Sequence, residues 1–432
     1  MAADTRPAEA DERVAGRATR LRARVDYDRL PSGTVTTLVP ITAADGVGSL
    51  GILHTRGGER TVVISTHPRS DLSRHYAAPA ILEAGYAFYG HQCRGLNNDV
   101  DCEHERLLFD LAAALKHLKE ERGFECIVLL GNSGGGSLLT FYQQQARTAP
   151  PGRLTDTAAG DPCDLNALDM PVADGVIVLA AHPGEGKSML AWIDPSVVDE
   201  FDPVAVDPTL DMYNPDNGFR EPPEPSTYST EFLDRYRAAQ LARVARIDAI
   251  ARSRIEEAEH HRKVIGRPGF DELGLGERQY AERRSFVGHH LVIYRTEAHP
   301  AYTDLSLHAW RSTREVGSLV GPRPDRQNYA PQGFGRYLTP RAWLSTWSAL
   351  SSRAALEDCI KAIHEPLLLI NYTADALCFP DDSQAQFDSC PAQDKTLQFF
   401  DAEHFGLPLT ERAKAMQSLV AWLLDRFPAR RS

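Results

Sequence analysis

The chain has 432 residues, of which 42% are hydrophobic and 25% are charged, a composition typical of a globular protein with two or three domains. The formal net charge of −12 argues against a nucleic-acid-binding surface, and we expect no membrane-spanning segment. The seven cysteines are odd in number and scattered, with no Cys-x-x-Cys pair. This favours reduced thiols and a cytoplasmic location over a disulfide framework.

The first segment, residues 1–30, is polar and rich in alanine and arginine. It lacks the apolar stretch of a secretory signal, and its acidic residues count against a transit peptide. We predict a loosely ordered extension or a short docking helix. A strand is predicted over Arg60–Ile64. The loop after it has the sequence Ser-Thr-His67-Pro68-Arg69, which contains candidate functional residues.

The most informative motif is Gly131-x-Ser133-x-Gly135, which follows the apolar run Ile127–Leu130 and leads into a helical segment. This is the form of a nucleophile elbow, in which a serine is held on a sharp turn between a strand and a helix. The two glycines let the strand and the helix approach closely. The turn also leaves the backbone N–H of Gly134 free to bind an oxyanion. The alternative is a glycine-rich turn with an idle serine.

A second glycine-containing motif follows the apolar stretch Gly175–Ala181. The sequence Gly-Lys-Ser at 186–188 is similar to the end of a phosphate-binding loop. The first glycine of that motif is replaced by Ala181, so we favour a strand of the main sheet that ends near the site. We expect His182 near the rim of the site, in a structural role.

The pattern changes between Lys187 and Thr339. Asp-Pro and Asn-Pro pairs favour turns at first, and a long helix is predicted over Thr230–Val264. The stretch Gly288–Tyr294 predicts a strand outside the main sheet. Six aromatic residues are candidate walls of a substrate pocket: Trp192, Tyr213, Phe219, Trp310, Trp343 and Trp347.

Two further strands are predicted near the end of the chain. Pro366–Ile370 is followed by Asp375, and Thr396–Phe400 is followed by His404. These two side chains are therefore expected at the same edge of a parallel sheet as Ser133. Helices are predicted after each loop, over Asp382–Cys390 and Leu409–Phe427.

A serine hydroxyl needs a base to take its proton, and the base needs an acid to orient it. The order serine, acid, histidine is that of the nucleophile-elbow architecture, so we predict a catalytic triad of Ser133, Asp375 and His404. Asp401 and Glu403 adjoin the histidine too closely in sequence to reach its ring well. The scheme requires no cofactor and no metal.

With these residues in place, the chain resembles the α/β-hydrolase superfamily over roughly residues 34–186 and 339–427. The resemblance implies a mostly parallel central sheet flanked by helices, with a largely helical cap inserted after the sixth strand. It also implies that the loop at Arg94-Gly95 is structural and positions the chain beside the oxyanion hole. The domain boundaries expected are 1–30, 31–186, 187–339 and 340–432, the third being the cap.

The resemblance also implies a second oxyanion donor after His67. The family often has a His-Gly pair here, whereas this chain has His67-Pro68, and proline has no N–H to donate. We therefore predict the backbone N–H of Arg69 as the donor that acts with Gly134, with Ser70 as the alternative.

The expected activity is hydrolysis of a carboxylic ester or lactone of a small or medium organic substrate, through an acyl-enzyme on Ser133. A carbon–carbon hydrolase, an amidase and an acyltransferase share this triad, and a catalytically inactive binding protein is a further alternative. The sequence leaves the substrate and the oligomeric state open, a homo-oligomer included.

Overall fold

The computed structural model describes residues 30–95, 99–330 and 333–430. The predicted N-terminal extension therefore lies, apart from Leu30, outside the described residues. The strands are β1 (Val35–Thr42), β2 (Gly48–Thr55), β3 (Thr61–Ser65), β4 (Ala87–Gln92), β5 (Cys126–Asn132), β6 (Gly175–Leu179), β7 (Val197–Asp199), β8 (Asp202–Val206), β9 (Leu291–Val292), β10 (Tyr337–Leu338), β11 (Leu367–Tyr372) and β12 (Lys395–Phe400). The longer helices are α1 (Ala78–Glu83), α2 (His104–Lys116), α3 (Gly134–Arg147), α4 (Glu185–Trp192), α5 (Thr230–Ile265), α6 (Leu275–Phe286), α7 (Pro380–Ser389) and α8 (Leu409–Leu424).

Eight of the strands form one sheet in the order β1-β2-β4-β3-β5-β6-β11-β12. β2 runs antiparallel to both of its neighbours, and the pairs from β4 to β12 are parallel. The helical insertion follows β6, the sixth strand. The mostly parallel sheet, its flanking helices and this insertion confirm the predicted α/β-hydrolase fold.

The central strands are buried on both faces, which is why their sequences are apolar runs and do not alternate with polar residues. On β6, Val176 and Val178 pack into the core on one face of the sheet, where α2 and α3 lie. Ile177 and Leu179 pack into the core on the other face, with α1 and α8. The sheet thus separates two cores, and its central strands end at one edge.

The insertion after β6 contains α4, the hairpin β7–β8, the 36-residue helix α5 and then α6. The long helix was predicted within one residue of its end, and the Ser229 hydroxyl caps its start by accepting from the N–H of Phe232. Its apolar side packs Val244 and Ile247 against Trp343. Within the described ranges, no helix combines the length and the apolar character needed to cross a bilayer.

One strand prediction was wrong in extent. The stretch Gly288–Tyr294 forms only the two-residue strand β9, which pairs with β10 outside the main sheet. The partner strand is itself only two residues long, so the rest of the apolar stretch has no ladder to join. The seven cysteines are free thiols, and Cys93 and Cys378 are buried packing residues, as expected.

His91 on β4 provides a test of this packing. Burial lowers the pKa of His91 to about 3, whereas an unfolded histidine titrates near pH 6.5. Between these values the unfolded chain binds one more proton than the folded chain. The unfolding free energy therefore decreases as the pH is lowered, by up to about 1.4 kcal/mol per pH unit. The variant His91→Gln lacks this contribution. We expect its deficit in unfolding free energy relative to wild type to narrow from about pH 7 to about pH 4.

Urea denaturation at a series of pH values measures this difference. The same substitution at the exposed His364 is the control. A difference between wild type and His91→Gln that stays constant over the range would contradict a buried, neutral His91.

Candidate active site

Ser133 lies on the sharp turn between β5 and α3 with a backbone φ of 54°, a value that side chains other than glycine rarely adopt. Its N–H donates to the carbonyl of Ala180 at 3.1 Å, which ties the turn to the end of β6. The turn is possible because its neighbours are small. A Cβ on Gly131 would lie 2.5 Å from Cα of Gly136, and one on Gly135 would overlap the carbonyl oxygen of Thr66. The predicted elbow geometry is therefore present.

The structure brings the three predicted triad residues together. Oγ of Ser133 lies 3.2 Å from Nε2 of His404. Nδ1 of His404 lies 2.7 Å from Oδ2 of Asp375, at hydrogen-bond distance. With the proton of the neutral imidazole on Nδ1, Nε2 is free to accept the proton of the serine hydroxyl. This arrangement is suited to nucleophilic attack by the serine.

The loops after β11 and β12 hold Asp375 and His404. The other oxygen of Asp375 accepts the backbone N–H of Leu377 at 2.7 Å, which fixes the carboxylate. Asp401, the alternative acid, accepts instead from the hydroxyls of Thr313 and Thr373. Asp375 is fully buried, whereas Asp401 is exposed.

Of the two predicted oxyanion donors, Gly134 is placed as expected, whereas the N–H of Arg69 is already hydrogen-bonded. Gly134 is the first residue of α3, where a backbone N–H has no acceptor within the helix and the helix dipole favours negative charge. The N–H of Arg69, however, already donates to Nδ1 of His67 at 3.1 Å, and that of Ser70 donates to the same atom at 3.2 Å. Arg69 stays a prediction as an oxyanion donor, but it would have to give up this bond to act.

The side chain of Arg69 is held away from this role. Its guanidinium forms an ion pair with Asp99 at 3.0 Å. It also lies 5.3 Å and 4.9 Å from the ring centres of Phe334 and Trp347, which is the range of cation–π contacts. Arg69 thus links the loop after β3 to the segment that follows α6.

A buried charged cluster lies against the elbow, and the sequence analysis did not find it. Glu185 begins α4 and has no exposed surface. Its carboxylate lies 3.3 Å from Nε2 of His104 and 3.8 Å from Nε2 of His182. A Cβ on Gly134 would overlap Oε1 of Glu185, so a larger residue here would require that carboxylate to shift. The one indication in the sequence was an acid at the first position of a helix, where acids are common and usually solvated.

Burial and charge set the protonation of this cluster. Burial alone would raise the pKa of Glu185, but the hydrogen bond to His104 and the charges around it hold that pKa well below its usual range. Burial lowers the pKa of His182 to about 4, although the nearby carboxylate opposes the shift. Burial and the charge of Arg69 lower the pKa of His67 well below its usual range. His67 and His182 are therefore neutral at neutral pH.

A cavity of about 260 Å³ opens beside Ser133 and His404. Leu319 and Phe334 from the insertion contribute to its wall. A second cavity, of about 590 Å³, is also lined by His404 and Leu319. The larger of these two volumes suits a small or medium organic molecule.

The six aromatic residues expected to form the pocket wall do not line the cavity beside Ser133, and this expectation was wrong. Trp192 packs against Phe334 with the ring centres 5.0 Å apart, and Trp347 contacts Arg69. Both tryptophans therefore support wall residues from behind. Trp310 packs at the surface against Phe399.

Two groups of potential metal ligands occur in the described part of the chain. One consists of Asp375 and His404 with Cys378, whose thiol lies 3.9 Å from Nδ1 of the histidine. These atoms already form the hydrogen bonds described above. The other consists of His308, Asp381 and Asp382 away from the serine, where the histidine forms an ion pair with Asp381 at 2.9 Å.

No family model and no curated protein matches the chain. Solved structures that it resembles include DcsB in complex with its substrate analogue, at 10% identity over 91% of this chain and 99% of that chain, with a TM-score of 0.47. The α/β hydrolase GrgF from Penicillium sp. sh18 is 12% identical over 91% and 99%, with a TM-score of 0.45. An esterase domain of a Rhodothermus marinus protein is 12% identical over 90% and 98%, with a TM-score of 0.41. All three scores lie below 0.5, so the fold assignment rests on this chain's own sheet.

The close packing of the elbow generates a test. Gly135→Ala places a methyl group against a backbone oxygen that cannot move freely, and we expect a loss of about 1–3 kcal/mol or more in unfolding free energy. Gly276→Ala, in α6, meets nothing within 4 Å and should be neutral or stabilising by up to about 1 kcal/mol. Urea denaturation measures both. Equal stability of the two variants would contradict the close approach of Gly135 to Thr66.

Proposed function

We propose that the protein is a serine hydrolase that cleaves a carboxylic ester or lactone of a small or medium organic substrate. The observation that supports this most is the hydrogen-bonded series from Ser133 through His404 to Asp375, with the serine in a strained elbow. Such a series is costly to maintain without a use, because a strained backbone residue costs of order 1–3 kcal/mol.

The proposed reaction has two steps. Oγ of Ser133 attacks the substrate carbonyl carbon while Nε2 of His404 takes the hydroxyl proton, and the carbonyl π electrons move to the oxygen. The N–H of Gly134 and the N-terminal end of α3 stabilise the resulting oxyanion. The oxyanion collapses, the bond to the leaving alkoxide breaks, and His404 gives that oxygen its proton. Water then repeats the sequence on the acyl-enzyme and releases the acid and Ser133.

Asp375 acts on the base. Its carboxylate accepts a hydrogen bond from Nδ1–H of His404, which fixes the tautomer and stabilises the imidazolium that forms during attack. The fixed position of this carboxylate, through the N–H of Leu377, supports the role.

We also propose that residues 187–339 form a cap over the site. Support comes from Leu319 and Phe334, which belong to this segment and line the cavity with Ser133. A cap of this kind excludes water from the reacting groups and limits the size of the substrate.

The identity of the nucleophile is tested with a fluorophosphonate probe and with 4-nitrophenyl butyrate. We expect wild type to be labelled and to hydrolyse the ester, and Ser133→Ala to do neither, because it lacks the attacking oxygen. Ser389→Ala, on the exposed surface of α7, is the control and should behave as wild type. Labelling of Ser133→Ala would contradict the assignment.

The same assay separates the alternatives. Labelling without ester hydrolysis would favour a carbon–carbon bond or an amide as the target. Transfer products formed with added alcohols would favour an acyltransferase. A folded wild type that neither labels nor turns over would favour a binding protein.

The role of Asp375 is tested by substitution with asparagine. Asp375→Asn keeps the shape of the side chain but stabilises the wrong tautomer of His404, and a loss of about 10⁴-fold in kcat is expected. The matched control is Asp401→Asn, which changes the competing acid near the same histidine and should retain activity. Steady-state kinetics on the nitrophenyl ester measure both. Similar losses in the two variants would contradict the assignment.

A further inference from the structure

The pair His-Pro occurs three times in the chain, at His67, His182 and His299. At each one the ring folds back so that Nδ1 accepts the backbone N–H two residues further on, at distances of 3.0–3.1 Å. The proline between the ring and this donor has no N–H of its own. These three His-Pro turns share one local geometry.

In the His-Pro turn after β3, neither of the two predicted backbone donors is free to bind an oxyanion. Pro68 has no N–H. The N–H groups of Arg69 and Ser70 both donate to Nδ1 of His67. Neither Arg69 nor Ser70 can therefore supply the second donor from its backbone unless this hydrogen bonding breaks.

The same geometry fixes the proton of the His67 ring. A neutral imidazole has one N–H, and a nitrogen that accepts two hydrogen bonds cannot carry it. The proton is therefore on Nε2. Burial keeps the pKa of His67 well below its usual range, so the ring stays neutral and retains this tautomer. Within the described part of the chain, Nε2 makes no hydrogen bond.

The free Nε2–H of His67 lies beside the N–H of Gly134. A Cβ built on Gly134 would be 3.0 Å from Nε2. A Cβ lies about 2.5 Å from its own backbone nitrogen, so the two donors are at most about 5.5 Å apart. One oxygen can accept from both at the usual distance of about 2.9 Å. The ring also lines the cavity that contains Ser133 and His404.

His182 has the same turn and lies equally close to Gly134, at 3.2 Å from the same built Cβ. Its Nε2, however, faces the buried carboxylate of Glu185 at 3.8 Å. His182 is also absent from the lining of the cavity beside Ser133. Of the two rings, only that of His67 combines a free N–H with access to the reacting groups.

We infer that His67 is a catalytic residue, whose side-chain Nε2–H is the second oxyanion donor and acts together with the N–H of Gly134. The inference rests on the proposed hydrolase function and replaces Arg69 in this role. During attack on an ester, the carbonyl oxygen gains negative charge and accepts from both donors, and no proton is transferred to it.

The test uses His67→Asn and His67→Ala in the full chain. An asparagine oxygen reproduces the acceptor for the N–H groups of the turn, but its side chain does not reach the position of Nε2. Alanine removes both functions. If the distal N–H is catalytic, both variants lose about 10²–10³-fold in kcat on 4-nitrophenyl butyrate with little change in KM, as for other oxyanion donors. Thermal unfolding confirms that each variant is folded.

His299→Asn is the matched control, because it makes the same change in the His-Pro turn of the insertion, outside the cavity at Ser133. It should keep the kcat of wild type. If His67→Asn keeps the kcat of wild type while His67→Ala does not, His67 only supports the turn and the inference is overturned. Full activity in both variants overturns it as well.

A ¹⁵N spectrum of His67 in the wild type gives a measurement that does not depend on activity. We expect the proton on Nε2 and no change of tautomer between about pH 6 and about pH 8. A proton on Nδ1 would overturn the inference. Failure of the proposed function is distinguishable, because wild type itself would then neither label nor hydrolyse the ester.

Discussion

The packing of α3 onto the carboxyl end of β5 is the constraint on which the site depends. Three successive glycines let the helix start directly against Thr66, Ala181 and Glu185, and a Cβ at any of them would overlap a neighbour. This close approach forces Ser133 into its unusual backbone conformation and directs its hydroxyl out of the turn. Because β5 lies at the centre of the sheet, the strained turn is held on both sides by paired strands.

The second layer of the site is electrostatic. A fully buried carboxylate, that of Glu185, lies directly behind the first turn of α3, where it would oppose a developing oxyanion if it were uncompensated. His104 and the guanidinium of Arg69 hold it ionised, and the neutral ring of His182 lies 3.8 Å away. Removing one member of such a buried cluster leaves a buried charge without its partner. That unpaired charge destabilises the folded state more than burial of the complete cluster does. The neighbourhood of the serine is therefore preorganised by groups that need not touch a substrate.

The parts of this structure that the sequence predicts are those fixed by local rules. Strand ends and their following loops locate Ser133, Asp375 and His404, because parallel strands bring their carboxyl ends to one edge. The Arg69 N–H is taken by the ring of His67 in a His-Pro turn that recurs at His182 and His299, a regularity that becomes visible only from the side-chain positions. The cavity wall was missed because Leu319 and Phe334 lie in irregular chain, where neither a 3.6-residue nor a two-residue period applies.

The position of the insertion within the chain has a consequence for how the molecule forms. Ser133 and His404 are 271 residues apart, and Asp375 and His404 follow the last two strands of the sheet. Contacts over such separations form late in folding, because long loops must close first. During synthesis the turn at Ser133 can form before β11 and β12 exist, and His404 is then not yet beside it. In the proposed hydrolase, Ser133 would therefore lack its base until the sheet is complete.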